Sequence, residues 1–246
     1  MEYDVFSRFY DCLTFNIDYE GRTEYLIGLF EKYGQRPQLL LDMACGTGGF
    51  SIEFKKRGID VIGVDLSADM LSIAQQKAFR QGLDIMLVNQ RASELELYGH
   101  VDGAVCCLDS LNHITDYDEF CESLRRIAYY LKPQGLFIFD VNTVYKHRFV
   151  LSDKTFVYDV DDVYCVWQNS ECDDNFQVDI NLDFFYKQDG KYTRMSETFA
   201  ERAYTQVQIK NALTKAGLEV AAAFGDISHS EPKEEEQRIV YITRRV

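Results

Sequence analysis

The sequence predicts an α/β protein, a seven-stranded and mostly parallel sheet flanked by helices, into which an antiparallel β-meander is inserted. Three observations carry that reading. Short apolar runs alternate with amphipathic helical stretches through the first 142 residues, the pattern that right-handed βαβ crossovers require. After Asn142 the period of the apolar positions drops to two, and after residue 204 helix and strand patterns resume. With 246 residues, 46% of them hydrophobic, the chain has enough apolar material for one large domain with an elaborated insert and too much for a disordered segment.

The elements follow in order. The N-terminal stretch, residues 1–37, is dense in aromatics (Tyr3, Phe6, Phe9, Tyr10, Phe15, Tyr19) and reads as a helical cap, either a lid or an amphipathic helix packed on the domain. Strands are expected at 38–43, 60–65, 84–88, 101–107 and 135–141, with helices at 48–57, 67–81 and 116–131 between them. In the last helix Phe120, Leu124, Ile127 and Leu131 recur at three- and four-residue spacing, which gathers them on one core-facing stripe. Ser67 and Asp116 are suited to cap helix N-termini, and Lys132-Pro133-Gln134-Gly135 stops the third helix because proline cannot continue it.

Within 143–204, Phe176, Val178, Ile180, Leu182, Phe184 and Tyr186 alternate with Gln177, Asp179, Asn181 and Asp183. Successive side chains of a strand point to opposite faces, so this is a half-exposed antiparallel strand. Looser alternation at 155–167 and 192–204, with the turn-forming stretches NSECDDN and KQDGK between, completes a three-stranded meander. A helix at 205–216 ends at Gly217, and strands at 218–224 and 238–244 return to the first sheet. Residues 1–142 and 205–246 thus make the core, and 143–204 the insert. The run Glu234-Glu235-Glu236 reads as a solvated loop.

Composition narrows the partners. Against 26 basic side chains stand 40 acidic ones, a formal charge of −14, which argues against a nucleic-acid phosphate backbone. Seven cysteines without a CxxC pair point to a reduced, cytoplasmic setting. The stretch MEYDVFSRFYDCLTF has no basic region followed by an apolar run, and no segment approaches the roughly 18 apolar residues of a membrane span, so no membrane partner is expected. The four histidines fall in neither HExxH nor paired Cys/His spacing, so no metal site is expected.

The chemistry is concentrated where the first strand ends, Leu39-Leu40-Leu41-Asp42-Met43-Ala44-Cys45-Gly46-Thr47-Gly48-Gly49-Phe50. Gly46 and Gly48 remove Cβ atoms from the path of a ligand, and the free N–H groups at the following helix start favour a negative group. Dinucleotides and S-adenosylmethionine are both bound by such loops. A dinucleotide fingerprint needs glycine at position 51, where this chain has Ser51, and Asp42 would face an anionic pyrophosphate. The ammonium of S-adenosylmethionine is compatible with Asp42, while its carboxylate faces the loop amides. Next, Val61-Ile62-Gly63-Val64-Asp65-Leu66-Ser67 ends a strand in Asp65, whose carboxylate can accept both ribose hydroxyls. Leu66 and Met70 are placed to cover the adenine, although Met70 equally suits plain helix packing.

Together these residues resemble the class I S-adenosylmethionine-dependent methyltransferases, closely over 38–142 and loosely over 205–246. The resemblance implies a Rossmann-like fold, a glycine loop at Asp42, Gly46 and Gly48, a ribose-binding acid at Asp65, and a family L-K-P-G-G stretch at Leu131-Lys132-Pro133-Gln134-Gly135 with Gln134 replacing a glycine. It departs at Val88-Asn89-Gln90-Arg91-Ala92-Ser93, where many members carry an acid that meets the adenine amino group and this chain has Arg91. Arginine cannot accept a hydrogen bond, so adenine is left to the backbone near Arg91 and Ala92, to the side chain of Gln90, or to stacking by Arg91.

The fourth strand runs into Cys106-Cys107-Leu108-Asp109-Ser110-Leu111-Asn112-His113, and the carboxyl ends of such strands line the ligand crevice. Leu108 is expected against the methionyl part of the cofactor. Asp109 and His113 are the candidates for substrate contact, His113 because imidazole takes up a proton near neutrality; Asp109 as a cap and His113 as a packing residue are the plainer alternatives. The aromatic N-terminus looks like the cap of small-molecule methyltransferases acting on amines and amino sugars, with Tyr10 and Tyr19 closing over sulfonium and acceptor. The implied function is methyl transfer to N, O or C of a small-molecule acceptor. An NAD(P)-dependent oxidoreductase and a non-catalytic S-adenosylmethionine-binding module are the alternatives. Between 152 and 190 ten acids face two lysines, which suits a cationic acceptor, and the insert's apolar face is available either to cap the acceptor or to pair two subunits in a homodimer.

Overall fold

The computed structural model describes residues 4–188 and 190–246; Tyr3 of the aromatic N-terminus and Asp189 of the KQDGK turn lie outside them. Two helices, α1 (Asp4–Leu13) and α2 (Tyr19–Tyr33), precede β1 (Leu39–Met43), α3 (Gly49–Lys56), β2 (Asp60–Asp65), α4 (Ala68–Arg80), β3 (Met86–Asn89), β4 (Val101–Cys106), α5 (Tyr117–Tyr130) and β5 (Leu131–Asn142). The insert contributes β6 (Thr155–Val160), β7 (Val163–Asn169), β8 (Gln177–Gln188) and β9 (Lys191–Arg202), after which α6 (Gln206–Ala216), β10 (Leu218–Gly225) and β11 (Arg238–Arg245) complete the chain.

The seven-stranded sheet has the order β10-β11-β5-β4-β1-β2-β3, and β11 alone runs antiparallel to its neighbours β5 and β10. The predicted sheet is therefore present, with β1 near its middle. Leu40 and Leu41 are wholly buried on opposite faces of that strand, as a central parallel strand covered on both sides requires. Leu26, Phe30 and Phe54 of α2 and α3 pack one face. Phe120, Leu124 and Ile127 of α5, with Leu213 of α6, pack the other. The caps are as expected: Ser67 accepts from the Met70 amide and Asp116 from the Glu119 amide. Among the described residues no helix is long and apolar enough to cross a membrane.

Three expectations need correction. The meander has four strands, not three, because 155–167 is folded back on itself at Asp161 and Asp162, with Val160 paired to Val163. Asp161 takes a left-handed φ of +52°, a conformation that aspartate tolerates better than most residues, so the turn carries no glycine to announce it. β5 begins at Leu131, not at 135, since Leu131 already pairs with Val101 before the register shifts. Gln134 within it holds a φ of +67°, the geometry for which glycine is preferred. Finally, β3 lies at 86–89, not 84–88.

The alternating face of the insert is not bare. Val178, Ile180, Leu182 and Phe184 form a separate apolar cluster with Phe6, Phe9 and Leu13 of α1, and Phe9 stacks on Phe184 with ring centroids 4.5 Å apart. α1 and the insert sheet thus lie together over the edge of the large sheet at which β1, β2 and β4 end.

Gly48 is held by packing and by backbone conformation. Its φ is +79°, and a Cβ there would stand 2.9 Å from the Cβ of Ala74 on α4. The atom that a side chain at this position would meet is therefore Ala74 of α4. Gly48→Val should lower the unfolding free energy by about 3 kcal/mol, from left-handed strain plus overpacking. Gly58→Ala, at φ +78° with nothing within 4 Å, should cost only about 1 kcal/mol of backbone strain. Chemical denaturation of the two variants checks the difference; equal losses would contradict the packing argument.

Candidate functional site

A cavity of about 690 Å³ opens at the carboxyl ends of β1, β2 and β4. Its floor is the glycine loop. Ala44 and Gly46 turn through left-handed φ values of +56° and +53°, which aims the Gly46 N–H at Asp65. The Asp65 carboxylate accepts from Gly46 N through Oδ2 (2.8 Å) and from Ser67 N through Oδ1 (2.8 Å). One acid thereby joins the loops after β1 and β2, and each oxygen keeps a lone pair for a ligand. Burial pushes its pKa up while the amides oppose that rise. A Cβ at Gly46 would meet no protein atom within 4 Å, so its backbone stands open to the cavity it lines.

Of the residues singled out in the sequence, Tyr10, Gly46, Asp65, Leu66, Met70, Gln90, Arg91, Ala92, Leu108, Asp109 and His113 all line this one space. Met70 also packs against the α1 cluster, so it is a packing residue that borders the cavity. Asp42, Tyr19 and Gly48 are not part of it. Asp42 is 2% exposed and is turned beneath the loop, where Ser51 Oγ donates to it at 2.5 Å; burial pushes it up to about 7. It borders a second cavity of about 20 Å³ shared with Tyr10, Tyr19 and Leu108. The Tyr19 ring lies on Gly49, where a Cβ would come within 2.4 Å of it, and its hydroxyl reaches Thr14 Oγ1 at 3.4 Å.

The remaining candidates are more constrained than their residue types suggest. Burial pushes the Tyr10 phenol well above its ordinary value, with Tyr19 and Asp109 adding to the rise, so Tyr10 is a neutral hydrogen-bonding group and not a base near pH 7. Leu108 and Asp109 occupy left-handed φ values of +55° and +53°, and their amides donate to Asp140 Oδ2 (2.8 Å) and Oδ1 (2.7 Å). Arg238 then bonds both acids, reaching Asp109 Oδ1 with Nη2 at 2.7 Å and Asp140 with Nη1. Burial raises Asp109, but Arg238, Lys146 and His113 outweigh it and hold the carboxyl below the usual range. Asp109 is an ionised strut of the wall.

On the adenine side expected from the sequence, Gln90 Oε1 accepts from the Glu96 amide at 2.9 Å, and Arg91 pairs with Glu119 Oε1 at 3.0 Å, where Ser93 Oγ also donates at 3.1 Å. The arginine that replaces the acid is thus itself answered by an acid from α5.

Sequence reasoning missed Glu201, Lys146, Glu119, Asp140 and Arg238. Asp140 ends a predicted strand and the rule for strand carboxyl ends would have found it. Arg238 starts an antiparallel strand, which brings its first residue to that same edge. Glu201, near the end of β9, is 4% exposed and lines the cavity. His113 Nε2 lies 3.6 Å from its Oε1. All seven cysteines are free thiols, and burial pushes those of Cys106 and Cys107 well up, which removes them as nucleophiles.

Comparison with known proteins agrees with this geometry. The family model of the methyltransferase domain matches residues 40–135. A protein of Geobacillus sp. (strain WCH70) named as a methyltransferase is 32% identical over the whole of both chains. The crystal structure of an S-adenosylmethionine-dependent methyltransferase from Clostridium acetobutylicum ATCC 824 superposes with a TM-score of 0.89 at 32% identity, covering 99% of this chain and 98% of that one. The sugar N-methyltransferase KedS8 from Streptoalloteichus sp ATCC 53650 shares the fold at a TM-score of 0.79 and 19% identity, covering 100% of this chain and 94% of that one.

Arg238 is the counter-charge for the buried Asp140 and the half-buried Asp109, so Arg238→Met should cost about 3 kcal/mol of stability at pH 7 by leaving them uncompensated. Because the folded value of Asp109 is depressed, its contribution is complete above the unfolded carboxyl value of about 4 and is lost as pH falls through the lower folded value. The gap between wild type and variant should therefore shrink below about pH 4, as urea titrations across pH would read; a gap independent of pH would contradict the pairing.

Proposed function

This chain belongs to the S-adenosylmethionine-dependent methyltransferases, and on that premise we propose that it methylates a nitrogen, oxygen or carbon of a small-molecule acceptor, an amine above all. The observation that carries the reading is a single cavity with two unlike ends. One end offers the open backbone of Gly46 and the two lone pairs of Asp65; the other is walled by α1 and the insert. A volume of about 690 Å³ suits small ligands under a cover, whereas a polymer needs an open groove.

The residues present fit the cofactor. Gly46 and Asp65 would hold its ribose and loop-facing groups, Leu66 and Met70 its adenine, and Leu108 with the small cavity beside Asp42, Tyr10 and Tyr19 its methionyl end. The backbone at Arg91 and Ala92 would read the adenine edge, since the Arg91 guanidinium is engaged by Glu119 and the side-chain Oε1 of Gln90 by the Glu96 amide. The bound cofactor supplies a methyl group on a positively charged sulfur, open to attack by a lone pair in line with the carbon–sulfur bond.

What the chain's own residues do is align, dry and deprotonate. α1 and the insert keep water out, with Phe199 and Trp167 forming an apolar wall. The close cover that α1 makes over the insert's apolar face supports the insert as an acceptor cap in preference to a dimer contact. The amine preference draws support from the name of KedS8, a sugar N-methyltransferase with the same fold.

The decisive experiment offers the protein labelled S-adenosylmethionine and a metabolite extract, then identifies the labelled product by mass. An N-methylated small molecule is expected; cofactor binding without any labelled product would leave a binding module instead. Stabilisation by NAD(P) and not by S-adenosylmethionine would favour the oxidoreductase. Asp65→Ala should weaken S-adenosylmethionine binding by roughly 1 to 3 kcal/mol through lost charge-assisted hydrogen bonds. Calorimetry measures this, and an unchanged affinity would remove Asp65 from the ribose site.

A further inference from the structure

The acids around the cavity are not equivalent. Asp109 is neutralised by Arg238, Glu119 pairs with Arg91, and Asp65 is held by two backbone amides. Glu201 differs from all three. It is 4% exposed, and among the described residues it forms no ion pair with lysine or arginine. Its neighbours are His113 Nε2 at 3.6 Å, His147 Nε2 at 3.9 Å and Asn142 Nδ2 at 3.4 Å.

None of these is a permanent counter-ion. His147 donates through Nδ1 to the Phe176 carbonyl at 2.9 Å, its Nε2 is buried without a hydrogen-bond partner, and burial lowers its pKa to about 4. It is therefore neutral and contributes no charge. Lys146, in the short helical segment after β5, keeps its charge and faces the same region, but its ammonium donates to Asn142 Oδ1 at 2.8 Å and makes no ion-pair contact with Glu201. Burial raises the pKa of Glu201 against the pull of His113, while Asp109 adds to the rise and Lys146 opposes it. A buried carboxylate without a fixed partner is costly, and the cost is relieved by a proton or by an incoming cation.

We propose that Glu201 is the carboxylate that receives the protonated nitrogen of an amine acceptor and takes its proton, with His113 as the residue that positions it. This rests on the reading of the cavity as the methyl-transfer site. In the step, one N–H bond of the ammonium breaks, the proton moves to a Glu201 oxygen, and the bonding pair stays on nitrogen as the lone pair that methylation consumes. The buried carboxylate becomes a neutral acid as the ammonium becomes a neutral amine, so no net charge is created in the cavity. An alcohol gains nothing from this arrangement: it brings no positive charge, and a carboxylate is too weak a base to take its proton. The acceptor class is thus an amine that is protonated at neutral pH and carries an apolar or sugar-like body to lie against Phe199 and Trp167.

The test uses protein saturated with S-adenosylhomocysteine, so that binding and not turnover is read. Two matched probe pairs are titrated at pH 7.5 by calorimetry, cyclohexylamine against cyclohexanol and glucosamine against glucose. The wild type should bind at least one amine about tenfold more tightly than its neutral twin. In Glu201→Gln that ratio should fall to within twofold while affinity for S-adenosylhomocysteine stays within twofold. Glu201→Asp, which keeps the charge, should retain part of the preference. Neutral twins that match the amines in wild type overturn the proposal, as does an amine preference that survives Glu201→Gln; the wild-type arm decides even if that variant does not fold. If S-adenosylhomocysteine itself fails to bind, the cofactor reading falls and takes this inference with it. Binding of S-adenosylhomocysteine without amine preference refutes the role of Glu201 alone.

Discussion

The cavity depends on one half-buried guanidinium. Arg238 reaches back from the start of β11 to Asp140 on β5 and to Asp109 beyond β4, so a single positive group ties together three segments distant in sequence. The Asp140 carboxylate in turn accepts the amides of Leu108 and Asp109, and those contacts hold two consecutive non-glycine residues in the left-handed region. Such a turn is costly by itself. It persists because the charge cluster over-determines it, and it sets where the following 3₁₀ turn, Ser110–His113, presents His113.

At the opposite end of the cavity the organising group is a carboxylate held, among the described residues, by backbone amides alone. Asp65 stitches the turn after β1 to the turn after β2 and leaves the Gly46 backbone exposed. The two ends are thus built on contrasting electrostatics: Asp65 is satisfied by two backbone amides, whereas Glu201 has a side-chain amide and two imidazoles beside it and no ion pair with lysine or arginine among the described residues. Between them lie apolar side chains from α1 and the insert.

Much of this was legible in the sequence, and the rest failed for identifiable reasons. Periodicity located the sheet, and the carboxyl ends of its parallel strands yielded Gly46, Asp65, Leu108, Asp109 and His113, because in such a sheet strand direction and ligand edge are coupled. Glu201 and Arg238 escaped because they arrive on antiparallel strands. Alternation there tells which face a side chain occupies but not what lies opposite. Gly48 shows a second limit, since a bare position beside a ligand loop looks the same whether a ligand or another helix fills the space, and only α4 with Ala74 decides it. Asp42 shows a third: the sequence placed it at a strand end, but Ser51 turns its carboxylate under the loop.

The contact between α1 and the insert bears on how the chain is made. Phe6, Phe9 and Leu13 leave the ribosome early, whereas Val178 to Phe184, which shelter them, emerge only after the parallel strands β1 to β5. Throughout that interval the helix carries an oily stripe with nothing to cover it, a long-range closure of the kind that slows folding and invites sticking to other chains. The roof of the cavity is thus shut late, once β8 has emerged, and during synthesis its first half waits with its apolar side uncovered.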